Sequence, residues 1–234
     1  RQVKIGFAQA FGRVMPYTDA DVGTARRETF ACHNDLFSGR FWVEPLVTGK
    51  YPEEYTAWMA ENGFAAPPDD PRCRIDFYAV NTYPGRYVTT GKNGEAVPVT
   101  PKPSVPKTDM RWDVFPDSLY WGPKFLYERY RIPIIYTENG VALTEWKTLE
   151  GTVNDDCRID FVKRYLRALH RAAQEVEVKG YFYWSFMDNF EWAEGFSKKF
   201  GLIHIDYDTL VRTPKKSAFW YKKVMESNGE EIFK

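Results

Sequence analysis

A glutamate that directly follows a buried apolar strand is the first residue of this sequence that could do chemistry. Residues 134–140 read IIYTENG, so an apolar run leads straight into Glu138. A carboxylate in such a place costs free energy unless something binds it or uses it. A lone glutamate is more often a helix cap or a loop acid, and Glu138 therefore needs support from residues elsewhere in the chain.

That support comes from residues 181–201, which read YFYWSFMDNFEWAEGFSKKFG. Aromatic residues alternate there with acids and an amide: Trp184, Phe186, Phe190, Trp192, Phe196 and Phe200 lie among Asp188, Asn189, Glu191 and Glu194. Aromatic faces cover the C–H faces of a sugar, while carboxylates and amides bind its hydroxyls. Any single aromatic here is more simply an anchor that holds a surface loop to the core, but the whole run predicts a carbohydrate site.

Strand and helix patterns alternate along the chain and must position these residues. Strands are predicted at residues 3–8, 75–81, 132–137, 179–184 and 202–206, and a hairpin at 86–99 turns at residues 92–95. Helices are predicted at residues 19–36 with Asp19 as a possible N-cap, at 118–131, at 155–174 and after Pro214. The best helix, 155–174, places Ile159, Val162, Leu166 and Leu169 on one stripe. The proline-rich residues 97–107 are predicted to form a loop.

This alternation predicts an α/β fold with a parallel sheet. A doubly wound nucleotide-binding fold would carry a glycine-rich turn, which the sequence lacks. A (β/α) barrel instead places its chemistry where strands end, and Asn81, Tyr83, Glu138, Asn139 and Trp184 all follow or end predicted strands. Four βα units in 234 residues are half of a large barrel, because a whole barrel needs eight units. We therefore expect the chain to need a partner segment.

Composition excludes several classes of function. The 32 basic and 32 acidic residues balance, which argues against a nucleic-acid or polybasic membrane-binding role. The mean hydropathy of −0.51 argues against an integral membrane protein. The three cysteines form no close pair and the three histidines are scattered, so neither a disulfide framework nor a metal site is expected. A reducing, cytoplasmic location fits, and Arg1 in place of methionine suggests a start inside the gene.

Further motifs give these observations a common source. The chain contains, in this order, FSGRFWVEPLVTGKYP (37–52), DFYAVNTY (76–83), RWDVFPDSLY (111–120), TENG (137–140) and YWSFMDNFEWAEGFSKKFG (183–201). Together they resemble the family 1 glycoside hydrolases, the β-glucosidase and β-galactosidase group. The resemblance implies a (β/α)8 TIM barrel, of which residues 1–234 supply roughly the C-terminal four βα units of a single domain.

The resemblance also implies roles for individual residues. Glu138 matches the catalytic nucleophile, and Tyr83 matches the tyrosine that hydrogen-bonds it. The remaining matches line the substrate site: Asn81 beside the sugar, Trp184 as the platform under it, Glu191 and Trp192 at its 4- and 6-hydroxyls, Phe200 closing the pocket and Trp112 as the aglycone wall. No cofactor is expected, because the carboxylates carry the chemistry.

One departure from the family pattern limits what this chain holds. The family's general acid/base lies in an Asn-Glu-Pro motif, which is absent here. Val43-Glu44-Pro45 is similar in letters but matches a structural loop of the family, so Glu44 is predicted to be non-catalytic. A second departure, Thr82 in place of the family's usual tyrosine, is expected to matter little, because the resemblance assigns the contact with the nucleophile to Tyr83. The acid/base is expected in a missing N-terminal half, supplied by the same gene or by another chain.

The implied activity is retaining hydrolysis of terminal non-reducing β-D-glucosyl or galactosyl residues from short glycosides. A non-catalytic half barrel, either a fragment or a sugar-binding protein, is the alternative. A 6-phospho-β-glucosidase is less favoured, because the carboxylate of Glu191 would repel a phosphate at the sugar's 6-position. The sequence leaves the oligomeric state open.

Overall fold

The computed structural model describes residues 3–11, 13–31, 39–68 and 74–234. Its strands are β1 (Gly6–Ala10), β2 (Val14–Pro16), β3 (Phe77–Asn81), β4 (Arg86–Thr90), β5 (Ala96–Pro98), β6 (Ile134–Asn139), β7 (Val178–Tyr183), β8 (Ile203–Ile205) and β9 (Arg212–Pro214). Its α-helices are α1 (Val22–Thr29), α2 (Gly39–Thr48), α3 (Glu53–Glu61), α4 (Ser118–Tyr130), α5 (Asp156–Ala173) and α6 (Lys216–Glu226). Short 3₁₀ turns lie at Asp19–Asp21, Trp192–Glu194 and Glu230–Phe233.

The central sheet has four parallel strands in the order β1-β3-β6-β7. Helices connect each strand to the next, as parallel pairing requires. All four strands run in the same direction, so their carboxyl ends lie at one edge of the sheet. The predicted α/β fold with four parallel strands is therefore confirmed.

The two faces of this sheet differ in burial. Side chains alternate between the faces of a strand, and Tyr78, Val80, Ile134 and Tyr136 are at most 1 % exposed in the core shared with α4 and α5. On other strand positions Ala8 and Ala10 are exposed, and Phe182 is 59 % exposed. The described chain thus covers one face of its sheet with helices and leaves much of the other face open.

Most of the predicted elements are confirmed within two residues. They include the strands at 75–81, 132–137, 179–184 and 202–206, and the helices at 118–131, 155–174 and after Pro214. The hairpin is also present: β4 and β5 pair in antiparallel fashion, and Gly94 adopts a positive φ in the turn between them. The loop predicted at 97–107 is confirmed over residues 99–106, whereas Val97 and Pro98 pair with β4 as part of β5.

Two predictions near the N-terminus need correction. The first strand runs from Gly6 to Ala10 instead of 3–8, because backbone pairing with β3 continues past the apolar residues to Ala10. The helix predicted at 19–36 begins as a 3₁₀ turn capped by Thr18, whose backbone N–H donates to the Asp21 carboxylate, and its α-helical part ends at Thr29. Ala31 is not helical, and residues 32–36 lie outside the described part of the chain.

Glu44 lies in helix α2, which the sequence pattern does not indicate because Pro45 lies inside it. Its carboxylate accepts hydrogen bonds from Arg40, Arg129 and the Tyr130 hydroxyl. Arg40 lies in α2, and Arg129 and Tyr130 lie in the last turn of α4. The Glu44 carboxylate thus joins α2 to α4.

Among the described helices, none combines the length and the apolar character that crossing a bilayer requires. The exposed Cys157 is a free thiol. Cys32, His33 and Cys73 lie outside the described residues.

Candidate active site

Glu138 and Tyr83 meet at the carboxyl ends of β6 and β3. Asn81, the last residue of β3, lies opposite Glu138 in the parallel ladder, and the backbone N–H of Thr82 donates to the Glu138 carbonyl at 2.8 Å. The chain then turns so that the Tyr83 hydroxyl donates to Oε2 of Glu138 at 2.7 Å. A short hydrogen bond to an ionised carboxylate is a strong one, and it fixes the direction in which the carboxylate points.

Thr137 and Asn139, for which the sequence predicts no role in the site, hold these strand ends together. The Thr137 hydroxyl donates to Oδ1 of Asn81 at 2.7 Å. The buried Asn139 donates through Nδ2 to the Thr82 carbonyl at 2.8 Å, and its Oδ1 accepts from the Tyr181 hydroxyl at 3.0 Å. Both lie in the TENG run, and their positions on either side of Glu138 are the feature of the sequence that could have identified them.

Three aromatic rings pack beside the carboxylate. The Tyr83 ring lies 5.5 Å from Trp112 and 6.1 Å from Phe200, measured between centroids, and Trp112 and Phe200 are 6.4 Å apart. Phe200 is only 2 % exposed. Such edge-to-face and tilted contacts favour a fixed arrangement of rings. The segment that carries Phe200 is therefore in direct contact with the tyrosine that binds Glu138.

Burial and neighbouring charges raise the pKa of Tyr83. The largest cause is desolvation of the half-buried ring, followed by the hydrogen bond to Glu138 and the negative charges of Glu138 and Glu191. Each of these disfavours the phenolate. Tyr83 consequently remains a hydrogen-bond donor to Glu138 at neutral pH.

Glu191 belongs to the same electrostatic environment as Glu138. Its pKa is raised, first by burial and then by the charges of Glu138 and Glu194, while a hydrogen bond from the Trp184 side chain opposes the shift. The backbone of Trp184 is itself tied to the end of β6, because its N–H donates to the Asn139 carbonyl at 3.0 Å. Trp192, next to Glu191, is 82 % exposed and stands at the surface of the described chain.

Gly140 allows the chain after β7 to pass close to the end of β6. A Cβ at this position would lie 1.8 Å from the carbonyl oxygen of Trp184, where no side chain fits. We predict that Gly140→Ala destabilises the protein by about 3 kcal/mol, the upper end of the usual cost of overpacking, because backbone at both strand ends must shift. Chemical denaturation measures the free energy of unfolding.

The control for this variant is Gly23→Ala. Gly23 lies in α1, where an added Cβ meets its nearest neighbouring atom at 3.7 Å. The change should be neutral or stabilise by about 0.5–1 kcal/mol, since alanine favours a helix over glycine. Equal stability losses in the two variants would contradict the close approach of Trp184 to Gly140.

A separate cluster of charged groups contains the buried Lys215. Glu145, Asp188 and His204 bring one potential ligand atom each within 4.8 Å of one another. The buried Lys215 ammonium contacts Glu145 and lies 2.9 Å from Oδ1 of Asp188. The lysine thus supplies positive charge to both carboxylates, as a bound cation would.

Several known proteins are similar to this chain in sequence. The sequence profile described as "Glycosyl hydrolase family 1" matches residues 1–230. Beta-glucosidase A from Thermotoga maritima is 37 % identical over 195 residues, which cover 81 % of this chain and 44 % of that protein. The bifunctional beta-D-glucosidase/beta-D-fucosidase of Bifidobacterium breve is 35 % identical over 231 residues, covering 87 % of this chain and 50 % of that protein.

Solved structures similar to this chain come from the same group of proteins. The beta-glucosidase from Thermotoga maritima in complex with glucoimidazole superimposes with a TM-score of 0.78 at 33 % sequence identity. The superposition covers 97 % of this chain and 51 % of that one. The chain therefore spans about half the length of the relatives it matches. With a profile match over nearly all of its residues, this chain belongs to glycosyl hydrolase family 1.

Proposed function

We propose that residues 1–234 form the C-terminal half of a (β/α)8 barrel domain, its last four βα units. The half-open sheet supports this, because an exposed face with Phe182 59 % accessible is the face that a barrel would enclose. The length of the relatives supports it as well, since the chain spans about half of them. The N-terminal half, in the same gene or as another chain, is the proposed partner.

The complete enzyme hydrolyses terminal non-reducing β-D-glucosyl or galactosyl residues and retains the anomeric configuration. Glu138 attacks the anomeric carbon and forms a covalent glycosyl-enzyme, which water then hydrolyses. The observation that carries this proposal is the 2.7 Å hydrogen bond from Tyr83 to Glu138 at the strand ends. That bond holds Oε2, and within the described part of the chain no hydrogen bond ties Oε1, the oxygen that would attack.

Retaining hydrolysis needs a second carboxylate about 5–5.5 Å from the nucleophile, as acid and then as base. Glu44 cannot serve, because Arg40 and Arg129 hold it in the contact between α2 and α4. Glu191 is assigned to the sugar hydroxyls. The acid/base is therefore assigned to the N-terminal half.

The sugar site combines the other residues that the sequence motifs name. Asn81 lines the sugar, Trp184 forms its platform, Glu191 and Trp192 bind its 4- and 6-hydroxyls, Phe200 closes the pocket and Trp112 forms the aglycone wall. The Trp184 side chain lies close enough to Glu191 to lower its pKa, which supports their assignment to one site. A carboxylate at the 6-hydroxyl favours neutral sugars over 6-phosphorylated ones.

Aryl glycosides test this proposal in the complete enzyme. Nitrophenyl β-glucoside or β-galactoside should be turned over, while the 6-phosphorylated glucoside should not. Preferential turnover of the phosphorylated substrate would overturn the assignment of Glu191. No turnover of any of the three, with retained binding of glucose analogues, would favour a non-catalytic sugar-binding protein.

Glu191 should make sugar binding sensitive to pH. Its raised pKa means that the carboxylate takes up a proton at a higher pH than an ordinary glutamate does. The ionised form accepts hydrogen bonds from sugar hydroxyls, so binding should weaken as the pH falls through that raised pKa. Inhibition constants of a neutral glucose analogue, measured from pH 4 to 8, should show this loss in the wild type.

The control is Glu191→Gln, which keeps the side-chain shape but does not titrate. Its binding should be weaker at neutral pH by about 1.5–3 kcal/mol, the value of a hydrogen bond to a charged group, and it should lose the acid-side decline. An identical decline in the variant would assign the pH dependence to another group.

A further inference from the structure

Arg158 lies in helix α5 with its side chain fully buried, and its guanidinium joins two segments of the candidate site. Nη1 donates to the carbonyl of Phe200 at 3.0 Å and to that of Val141 at 2.5 Å. Nη2 donates to the carbonyl of Lys199 at 2.9 Å. Val141 follows Glu138 by three residues, so one guanidinium holds both the chain after β6 and the turn that carries Phe200.

Neighbouring groups fix this guanidinium in place. Its Nε lies 2.7 Å from Oδ2 of Asp155, and Nη2 lies 2.7 Å from Oε2 of Glu145. The Tyr183 hydroxyl accepts from Nη1 at 2.7 Å and donates in turn to the Phe200 carbonyl at 2.8 Å. The planar fork of an arginine directs five N–H groups at these acceptors from three nitrogens, whereas a lysine has three N–H groups on one nitrogen.

The same turn is held from its other side. Oδ1 of Asp188 accepts from the backbone N–H of Gly201 at 2.9 Å and from the Lys215 ammonium at 2.9 Å. A Cβ at Gly201 would lie 2.1 Å from the backbone nitrogen of Asp188, so the two segments touch. The turn 199–201, which we call the Phe200 turn, therefore has polar contacts on both sides.

We propose that Arg158 is a positioning residue for the nucleophile. It fixes the Phe200 turn, the Phe200 ring packs against Tyr83, and Tyr83 directs the Glu138 carboxylate. Arg158 touches neither the carboxylate nor the substrate. Because it acts on Glu138, this inference rests on the proposed function.

The test replaces Arg158 with lysine in the complete enzyme. The variant keeps the positive charge that Asp155 and Glu145 need, but it loses the fork that reaches Lys199 and Phe200. Arg40→Lys is the matched control. Arg40 is also a buried arginine, paired with Glu44 and with the Phe30 carbonyl, and it lies in α2 away from the site.

Both variants should lower the melting temperature, whereas only Arg158→Lys should impair catalysis. We expect its kcat on an aryl β-glucoside to fall about 10- to 100-fold, since a catalytic group misplaced by about 1 Å can lower the rate about 100-fold. KM should change less than about threefold. Arg40→Lys should keep kcat within about twofold. Equal kcat values in the two variants would reduce Arg158 to a purely structural role and overturn the proposal.

Hydrogen exchange separates this inference from the proposed function. The backbone amides of residues 198–203 should exchange faster in Arg158→Lys than in the wild type. In Arg40→Lys their exchange rates should equal those of the wild type. If the wild type hydrolyses no β-glycoside, the proposed function fails, and exchange alone decides whether Arg158 holds the turn. Unchanged exchange in Arg158→Lys would then overturn the inference too.

A milder pair of variants covers the case in which Arg158→Lys does not fold. Tyr183→Phe removes only the hydroxyl that joins Arg158 to the Phe200 carbonyl. Tyr130→Phe, its control, removes a buried hydroxyl that donates to Glu44. The same readouts apply, and kcat and exchange rates that match between the two variants would contradict the proposed role.

Discussion

Glu138→Gln is expected to abolish hydrolysis of β-glucosides by the complete enzyme while leaving the fold intact. An amide oxygen is a poor nucleophile, so no glycosyl-enzyme forms, and kcat should fall on the order of 10⁴-fold or more. The half-buried side chain keeps its size, and its oxygen can still accept from Tyr83. Steady-state kinetics on nitrophenyl β-glucoside and a thermal melt measure the two properties separately.

The matched control is Glu44→Gln, which also neutralises a glutamate that accepts a tyrosine hydroxyl. Glu44 is paired with Arg40 and Arg129 instead of lying at a strand end. This variant should lose roughly 1–3 kcal/mol of stability, because a buried charged pair is weakened, and should keep kcat. The reverse pattern, with activity lost only in Glu44→Gln, would place the nucleophile in Val43-Glu44-Pro45.

A covalent label identifies the nucleophile directly. A 2-fluoro-glucoside slows hydrolysis of the glycosyl-enzyme, so the sugar should accumulate on the attacking carboxylate in the wild type. Peptide mapping is expected to find the label within residues 134–140. A label on any other carboxylate would contradict the assignment of Glu138, and no label in an active enzyme would argue against a covalent intermediate.

The strands that carry the site could be predicted because their signals are local. The apolar runs before Glu138 and Trp184 predict β6 and β7 within two residues of their observed ends. Parallel order then follows from the intervening helices, and it brings the strand ends to one edge. Helix α2 could not be predicted in this way, since Pro45 interrupts the usual helical pattern and tertiary contacts of Glu44 decide its conformation.

The burial of Arg158 shows where the apolar pattern fails to predict the buried face of a helix. The sequence predicts a buried stripe through Ile159, Val162, Leu166 and Leu169, of which Val162 and Leu169 are buried and the other two half-buried. The buried face of α5 also contains Arg158, Phe161, Tyr165, Ala168 and Ala172. Arg158 has the helical spacing of that face, but a charged residue is normally assigned to solvent. Its burial depends on Asp155 and Glu145, and on carbonyls more than 40 residues away, which no local pattern reveals.

Packing between distant segments sets the other limit. Phe200 and Tyr83 are 117 positions apart in the sequence, yet their rings are in contact. The motifs name both residues without saying that one supports the other. Trp192 is a converse case, because its motif predicts a sugar contact while the described chain leaves it 82 % exposed. Its contact with substrate stays a prediction.

Tyr83→Phe is expected to lower kcat about 10- to 100-fold, the factor that corresponds to one hydrogen bond to a charged group. The ring remains, so its packing against Trp112 and Phe200 is kept and only the hydroxyl is lost. Tyr87→Phe is the control: its hydroxyl donates to the Asp117 carboxylate at 2.9 Å, outside the candidate site. Both variants lose a tyrosine–carboxylate bond, but only Tyr83→Phe should lose activity.

The step that slows most should be hydrolysis of the glycosyl-enzyme. In the proposed mechanism Glu138 is the leaving group of that step, and its negative charge returns as the bond breaks. The Tyr83 hydroxyl, which stays protonated because its pKa is raised, stabilises this charge in the transition state. A dinitrophenyl β-glucoside, whose leaving group needs no acid, should therefore give a pre-steady-state burst and a lower KM in Tyr83→Phe. A loss confined to kcat/KM, with kcat equal to that of Tyr87→Phe, would show that the hydroxyl acts on substrate binding instead of on the returning charge.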